Sequence, residues 1–183
     1  MGGAGAPEWL IREDAGEPVL VALYLRQVLG IRSPDELPHL RGIPPRTHAR
    51  SEQAHPSPVP LELVEGFDTL MALPAEGAEE LHEAVVPHAA EARAFAQSAH
   101  ARYRRDASSG TGTAYRAYAS AIAEHERQVG RRAHSFELNV QVLPLAQRGV
   151  WWIGSLTVAV TDGLRGDVAA FDAAIHPIIA DLA

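Results

Sequence analysis

The stretch FELNVQVLPLAQRGVWWIGSLTVAVT, residues 136–161, decides the fold. Phe136, Leu138, Val140 and Val142 alternate with Glu137, Asn139 and Gln141. A period of two marks a β-strand with one face inward. Val150–Thr161 reads as a second strand, and Gln147-Arg148-Gly149 reads as a three-residue loop with Gly149 in the left-handed conformation. The two strands are expected to form an antiparallel hairpin over about 136–161, with Leu138 beside Val158 and Val140 beside Leu156. One face is then apolar. The other carries Glu137, Asn139, Gln141, Ser155 and Thr157, which either line a ligand pocket or form a solvent-facing sheet surface. Near the turn that second face becomes apolar, with Leu143, Leu145, Trp151 and Ile153. Two strands alone are marginal in water. The patch therefore needs a cover, either a proline-rich part of this chain or a second copy, and a homodimer interface is the expectation.

Upstream the period changes to 3.6. Ala78, Leu81, Val85, Ala92, Phe95, Ala99 and Tyr103 form one helical stripe, with Pro87 expected to kink or split it. A Ser/Gly/Thr turn follows at 108–113, with Thr111 or Thr113 as N-cap. Tyr115, Tyr118, Ile122 and Val129 mark the next helix. Residues 75–133 thus read as an antiparallel helical hairpin. Asp167–Leu182 reads as a closing helix with Phe171, Ile175 and Ile179 inward and Pro177 disturbing its last turns. Pro18–Leu29 reads as a helix ended by Gly30, and Pro60–Leu73 as another. Residues 1–15 read as a flexible N-terminal lead that Trp9 anchors. Residues 31–60 are proline-rich and irregular, a pattern that belongs to lids and binding loops. The expected fold is α+β, mostly helical, in a single domain of 1–183.

Composition removes whole classes of chemistry. Among 183 residues there is no lysine and no cysteine, and all 16 basic side chains are arginine. Schiff-base and phosphate-loop lysines are excluded, as are thiolate nucleophiles, Cys-ligated metals and disulfides. The abundant alanine points to coding bias as the origin of arginine-for-lysine usage. No apolar run approaches the ~20 residues that span a bilayer, and no secretory signal is visible. A cytoplasmic protein without a membrane partner is expected.

Glu79 and His82 form an E-x-x-H half-motif of di-metal bundles, which needs a second on a partner helix. In the helical hairpin His88 and His125 would be offset by six positions, about 9 Å along the axis. That is too far for one metal, so no metal site and no cofactor are expected. No Gly-x-Ser-x-Gly elbow or oriented Ser/His/Asp set is present. Charge is more informative. Residues 93–134 carry eight arginines against three acidic residues, within a chain of net charge −7. Arg102, Arg104, Arg105 and Arg116 flank the Ser/Gly/Thr turn. They are either solvated helix-end charges or a carboxylate or phosphate site. The acidic total and the lack of interleaved aromatics argue against nucleic acid. The expected function is a non-catalytic binding or interaction domain, dimeric, recognising a protein partner or an anionic small molecule. The alternative is a small cofactor-free enzyme with His/Glu acid–base chemistry and an arginine clamp.

Overall fold

The computed structural model describes residues 9–31, 36–44, 83–109 and 113–183. The mixed α+β class is as expected, and its elements form three layers. Strands β1 (Trp9–Asp14), β2 (Phe136–Leu143), β3 (Val150–Gly154) and β4 (Thr157–Thr161) make one sheet in the order β1-β2-β4-β3. The helices are α1 (Glu17–Val28), α2 (Ala89–Ser109), α3 (Thr113–Val129), the single turn α4 (Asp162–Arg165) and α5 (Val168–Leu182). A 3-10 turn at Val86–His88 precedes α2, where Pro87 was expected to interrupt the helix.

The C-terminal antiparallel hairpin exists, but it lies within 150–161, between β3 and β4. Strand β2 does not pair with β3. It runs parallel to β4, with Val140 beside Val158 and Leu143 beside Thr161. The chain leaves β2, crosses to the sheet edge as β3, and returns through Ser155 and Leu156 to insert β4 between them. The expected register is therefore corrected, for a physical reason. Val158, Ala159 and Val160 are all buried, so β4 is covered on both faces and belongs in the interior of the sheet. Strand β3 is only partly covered, as an edge strand is. Buried Thr161 pins the crossing: its Oγ1 donates to the Gln147 carbonyl at 2.5 Å and accepts from Gly149 N–H at 3.2 Å.

Gly149 is not left-handed; among the described residues only Gly30, Gly42 and Gly130 have positive φ. It is small because Trp151 lies over it. A Cβ at 149 would meet ring carbons of Trp151 at 2.8 and 2.9 Å.

Residues 9–14, inside the segment expected to be a flexible lead, form β1 and pair in parallel with β2 from Trp9↔Phe136 to Asp14↔Gln141. Trp9, Ile11 and Glu13 face inward and their neighbours outward. Trp9 also packs against the Tyr115 ring, with centroids 5.7 Å apart.

The two helices of the expected hairpin both form, yet they serve different layers. Helix α2 packs on α1, and α3 packs on α5. Leu138, Val140, Val142, Val158 and Val160 meet Tyr118, Ile122, Phe171, Ile175 and Ile179 on one face. Leu143 and Ala159 meet Leu20, Leu23, Ala96 and Ala99 on the other. Only alanines are buried on α2 (Ala92, Ala96 and Ala99), and their small size lets it lie close to α1. Helix α5 begins at the Asp167 cap and continues through Pro177 to Leu182. The expected helix at 60–73, the Gly/Thr turn at 110–112 and most of the proline-rich segment lie outside the described residues.

The part of that segment that is described, residues 36–44, covers the apolar patch. Leu37 and Leu40 pack with Leu143, Leu145, Trp151 and Ile153. Gln27, 3% exposed on α1, accepts from Leu40 N–H at 2.7 Å and donates to the Leu40 and Ile43 carbonyls. Arg26 donates to the Leu37 carbonyl at 2.9 Å. A backbone bridge joins Leu40 to Leu145.

Two outcomes test this architecture. A chain lacking residues 1–15 is expected to lose cooperative urea unfolding, since β1 and its inward side chains are removed; a sharp, unshifted transition would contradict the strand assignment. Gly149→Ala is expected to cost about 1–3 kcal/mol through displacement of the indole. An unchanged denaturation midpoint would show that the ring swings away freely.

Candidate functional site

The parallel strands β1, β2 and β4 all end on the same side of the sheet. Their carboxyl ends carry Glu13, Val142 and Thr161, with Asp162 next in the chain. In open α/β sheets ligands bind outside this end of the strands. A cleft of about 430 Å³ opens there, within the size range of small-molecule sites. Helix α2 supplies one wall through Ala99, Arg102, Tyr103, Asp106, Ala107 and Ser109, spaced so that one helical face points into it. The other wall comes from Val142 and Pro144, from Asp162, Arg165 and Gly166 around α4, and from Val168 at the start of α5. The cleft thus lies where the two helix layers part above the sheet.

Glu13 organises its floor. The alternation of β1 turns this carboxylate inward, and its side chain is 14% exposed. Three donors from three elements converge on it. Tyr118 of α3 donates to Oε2 at 2.8 Å. Arg165 of α4 donates to the same oxygen through Nε at 2.9 Å. Tyr103 of α2 reaches the Glu13 carbonyl at 3.1 Å and Oε1 at 3.4 Å. Phe171 closes the group. Arg165 sits over its ring, 5.5 Å from the centroid, and Tyr118 meets it edge-on at 5.6 Å. Such contacts favour a cation held face-down on the ring.

Electrostatics follow from this packing. Burial, and then the Glu13 charge, push the Tyr118 hydroxyl far above the usual phenol range, and Tyr103 moves the same way for the same leading causes. For Arg165 burial works to lower the pKa, but the bond and charge of Glu13 outweigh it and the net direction is up. Asp162, on the opposite rim, is gripped by Arg41 through two bonds, Nη1 to Oδ1 at 3.1 Å and Nη2 to Oδ2 at 2.5 Å.

The structure distributes the residues singled out in the sequence. Arg102 lines the cleft; Arg104, Arg105 and Arg116 are exposed and do not. Glu137 is exposed and paired with Arg12 at 3.2 Å. Gln141 accepts from Gly16 N–H at 2.8 Å, which fixes the entry to α1. Asn139, Ser155 and Thr157 lie toward the amino-terminal ends of β2 and β4, away from the cleft. Leu143 and Leu145 are fully buried, and Trp151 and Ile153, partly buried, pack beside them with Leu37 and Leu40. Histidine 82 lies outside the described residues. His88 sits in the 3-10 turn, and His125 is buried with no partner for Nε2 among the described residues.

Sequence reading did not single out Glu13, Tyr103, Tyr118 or Arg165 as a site. The available signal was the alternation of Trp9, Ile11 and Glu13, which places an acid at an inward position. Comparison with protein-family models, curated proteins and solved structures finds no match to this chain.

The phenol shifts set a pH dependence. In the unfolded chain tyrosine ionises near pH 10, whereas in the fold Tyr118 keeps its proton to higher pH. The unfolded state then binds fewer protons, so stability is complete below about pH 10 and falls above it, by about 1.4 kcal/mol per pH unit for this group. Tyr118→Phe is expected to be less stable than the wild type by about 1 kcal/mol at pH 8. That gap should close by pH 11. A gap that stays constant in urea titrations at both pH values would remove the assigned hydrogen bond.

Proposed function

We propose that the chain is a non-catalytic small-molecule-binding domain whose ligand presents an anionic group to Arg165 and Arg102 in the cleft. The observation that carries this reading is the setting of Arg165. A guanidinium has five N–H donors in a rigid fork. Glu13 engages Nε, and Phe171 underlies the plane. Among the described residues no acceptor occupies the two Nη groups, which leaves a fixed, bidentate donor edge on the cleft wall. That is the geometry that suits a carboxylate or phosphate. Arg102 lines the same space and has no carboxylate partner among the described residues.

Binding is favoured over catalysis by the state of the remaining groups. Glu13 already accepts from Tyr118, Arg165 and Tyr103, so it is poorly placed to take a proton from a ligand. The two phenols hold their protons far above neutral pH. Efficient acid–base catalysis wants groups that titrate near the working pH.

The test is the thermal shift induced by inorganic phosphate and by citrate. The wild type is expected to be stabilised in a concentration-dependent way, because a ligand that binds only the native state raises the midpoint. Arg102→Glu is expected to abolish the shift, while Arg104→Glu and Arg105→Glu leave it intact. A shift lost equally in all three variants would point to diffuse surface charge and sink the assigned site.

A further inference from the structure

The charges of the cleft wall are of both signs, and this narrows the ligand. Glu13 is neutralised by Arg165 and Asp162 by Arg41. The two remaining ionised groups on the wall are Arg102 and Asp106. They stand four positions apart on α2, hence one above the other on the same face, with Cβ atoms about 6 Å apart. Nevertheless they form no ion pair with each other, and neither has an ion-pair partner among the described residues. One cation and one anion are therefore presented side by side to the same space, with the Nη groups of the neutralised Arg165 as further hydrogen-bond donors.

From this arrangement we propose that the ligand is a zwitterion, an α-amino acid with a bulky apolar side chain. Its carboxylate sits on Arg165 and Arg102, and its ammonium sits on Asp106. A phosphate monoester would reach the guanidinium donors but set its second negative charge beside Asp106, so it would bind more weakly than a zwitterion. A simple amine would face Arg102 and leave the Arg165 donors without an acceptor. Only a ligand with both signs leaves no like-charge contact. Much of the remaining wall is apolar, through Ala99, Val142, Pro144, Val168 and the ring of Tyr103, with Ser109 as a polar exception. Size agrees. At about 430 Å³ the cleft falls in the range of small-molecule sites. That suits phenylalanine, leucine or tryptophan and is far more than an isolated acetate needs.

This inference rests on the anion-binding reading, and the experiment separates the two. Isothermal titration of the full chain would use phenylalanine, leucine and tryptophan, each beside its desamino acid and its decarboxylated amine (for phenylalanine, 3-phenylpropionate and phenethylamine). At least one amino acid is expected to bind about tenfold tighter than both of its single-charge analogues, the difference that one charged hydrogen bond supplies. Asp106→Asn should reduce that amino acid to the level of its desamino analogue without weakening the latter. Arg102→Ala should weaken both carboxylates. Both positions are exposed on α2, so neither change threatens the fold. If the desamino acids bind as tightly as the amino acids, or if Asp106→Asn changes nothing, the zwitterion assignment falls and the anion site stands. If no amino acid, desamino acid or phosphate binds, both fall.

Discussion

An acid on an inward-facing strand position has to be given donors or the strand cannot dock. Glu13 meets that constraint with Tyr103 from α2, Tyr118 from α3 and Arg165 from α4. A buried carboxylate without partners costs several kcal/mol, so β1, both helix layers and the turn after β4 are mutually dependent through one side chain. The residue linking the most distant parts of the sequence also forms the floor of the cleft. Stability and site geometry therefore share a single origin here.

The arrangement has a consequence for recognition. Arginine ordinarily loses considerable rotamer freedom when it binds a ligand. Arg165 has lost that freedom already, because Glu13 holds Nε and Phe171 supports the plane. For the proposed ligand, the ordering cost of its two Nη groups is already met by folding, which is the general logic of preorganisation. Arg41 and Asp162 act differently. Their bidentate pair at the rim cancels a charge that would otherwise oppose an anion.

Much of this fold was legible in the sequence, and what was illegible has definite physical reasons. The span of α1 agrees with the sequence reading to within one residue at each end, because Pro18 and Gly30 bracket an apolar periodic run. The strand character of 136–143 and 157–161 was legible for the same kind of reason. Alternation fixes which side chains share a face, but not which strand lies next door. Leu138, Val140, Val158 and Val160 share a face in the expected hairpin and in the observed parallel pair alike. The distinguishing feature is that β4 carries no charged residue and is buried on both sides, which favours an interior place. Strand β1 escaped because it is six residues long and its third inward position is an acid. That acid is explained only by partners as far away as Arg165, 152 positions along the chain. A single sequence does not reveal such a pairing.

The arginine-rich stretch teaches the complementary lesson. Along the chain, residues 93–134 are a concentrated cationic block. In space α2 and α3 cover opposite faces of the sheet, so the block is divided between two layers. Arg104, Arg105 and Arg116 point into solvent, where their attraction for a ligand is screened within about a Debye length. Arg102 alone of that group enters the cleft, because its position on α2 shares a face with Ala99, Tyr103 and Asp106. Its counterpart Arg165 comes from outside the block, on a turn whose segment is not notably basic. Density of charge in sequence is thus a weak guide to which arginines share a cleft. What sets the two arginines apart is a shared cleft wall, an anchor that fixes one guanidinium, and a neighbouring carboxylate, Asp106.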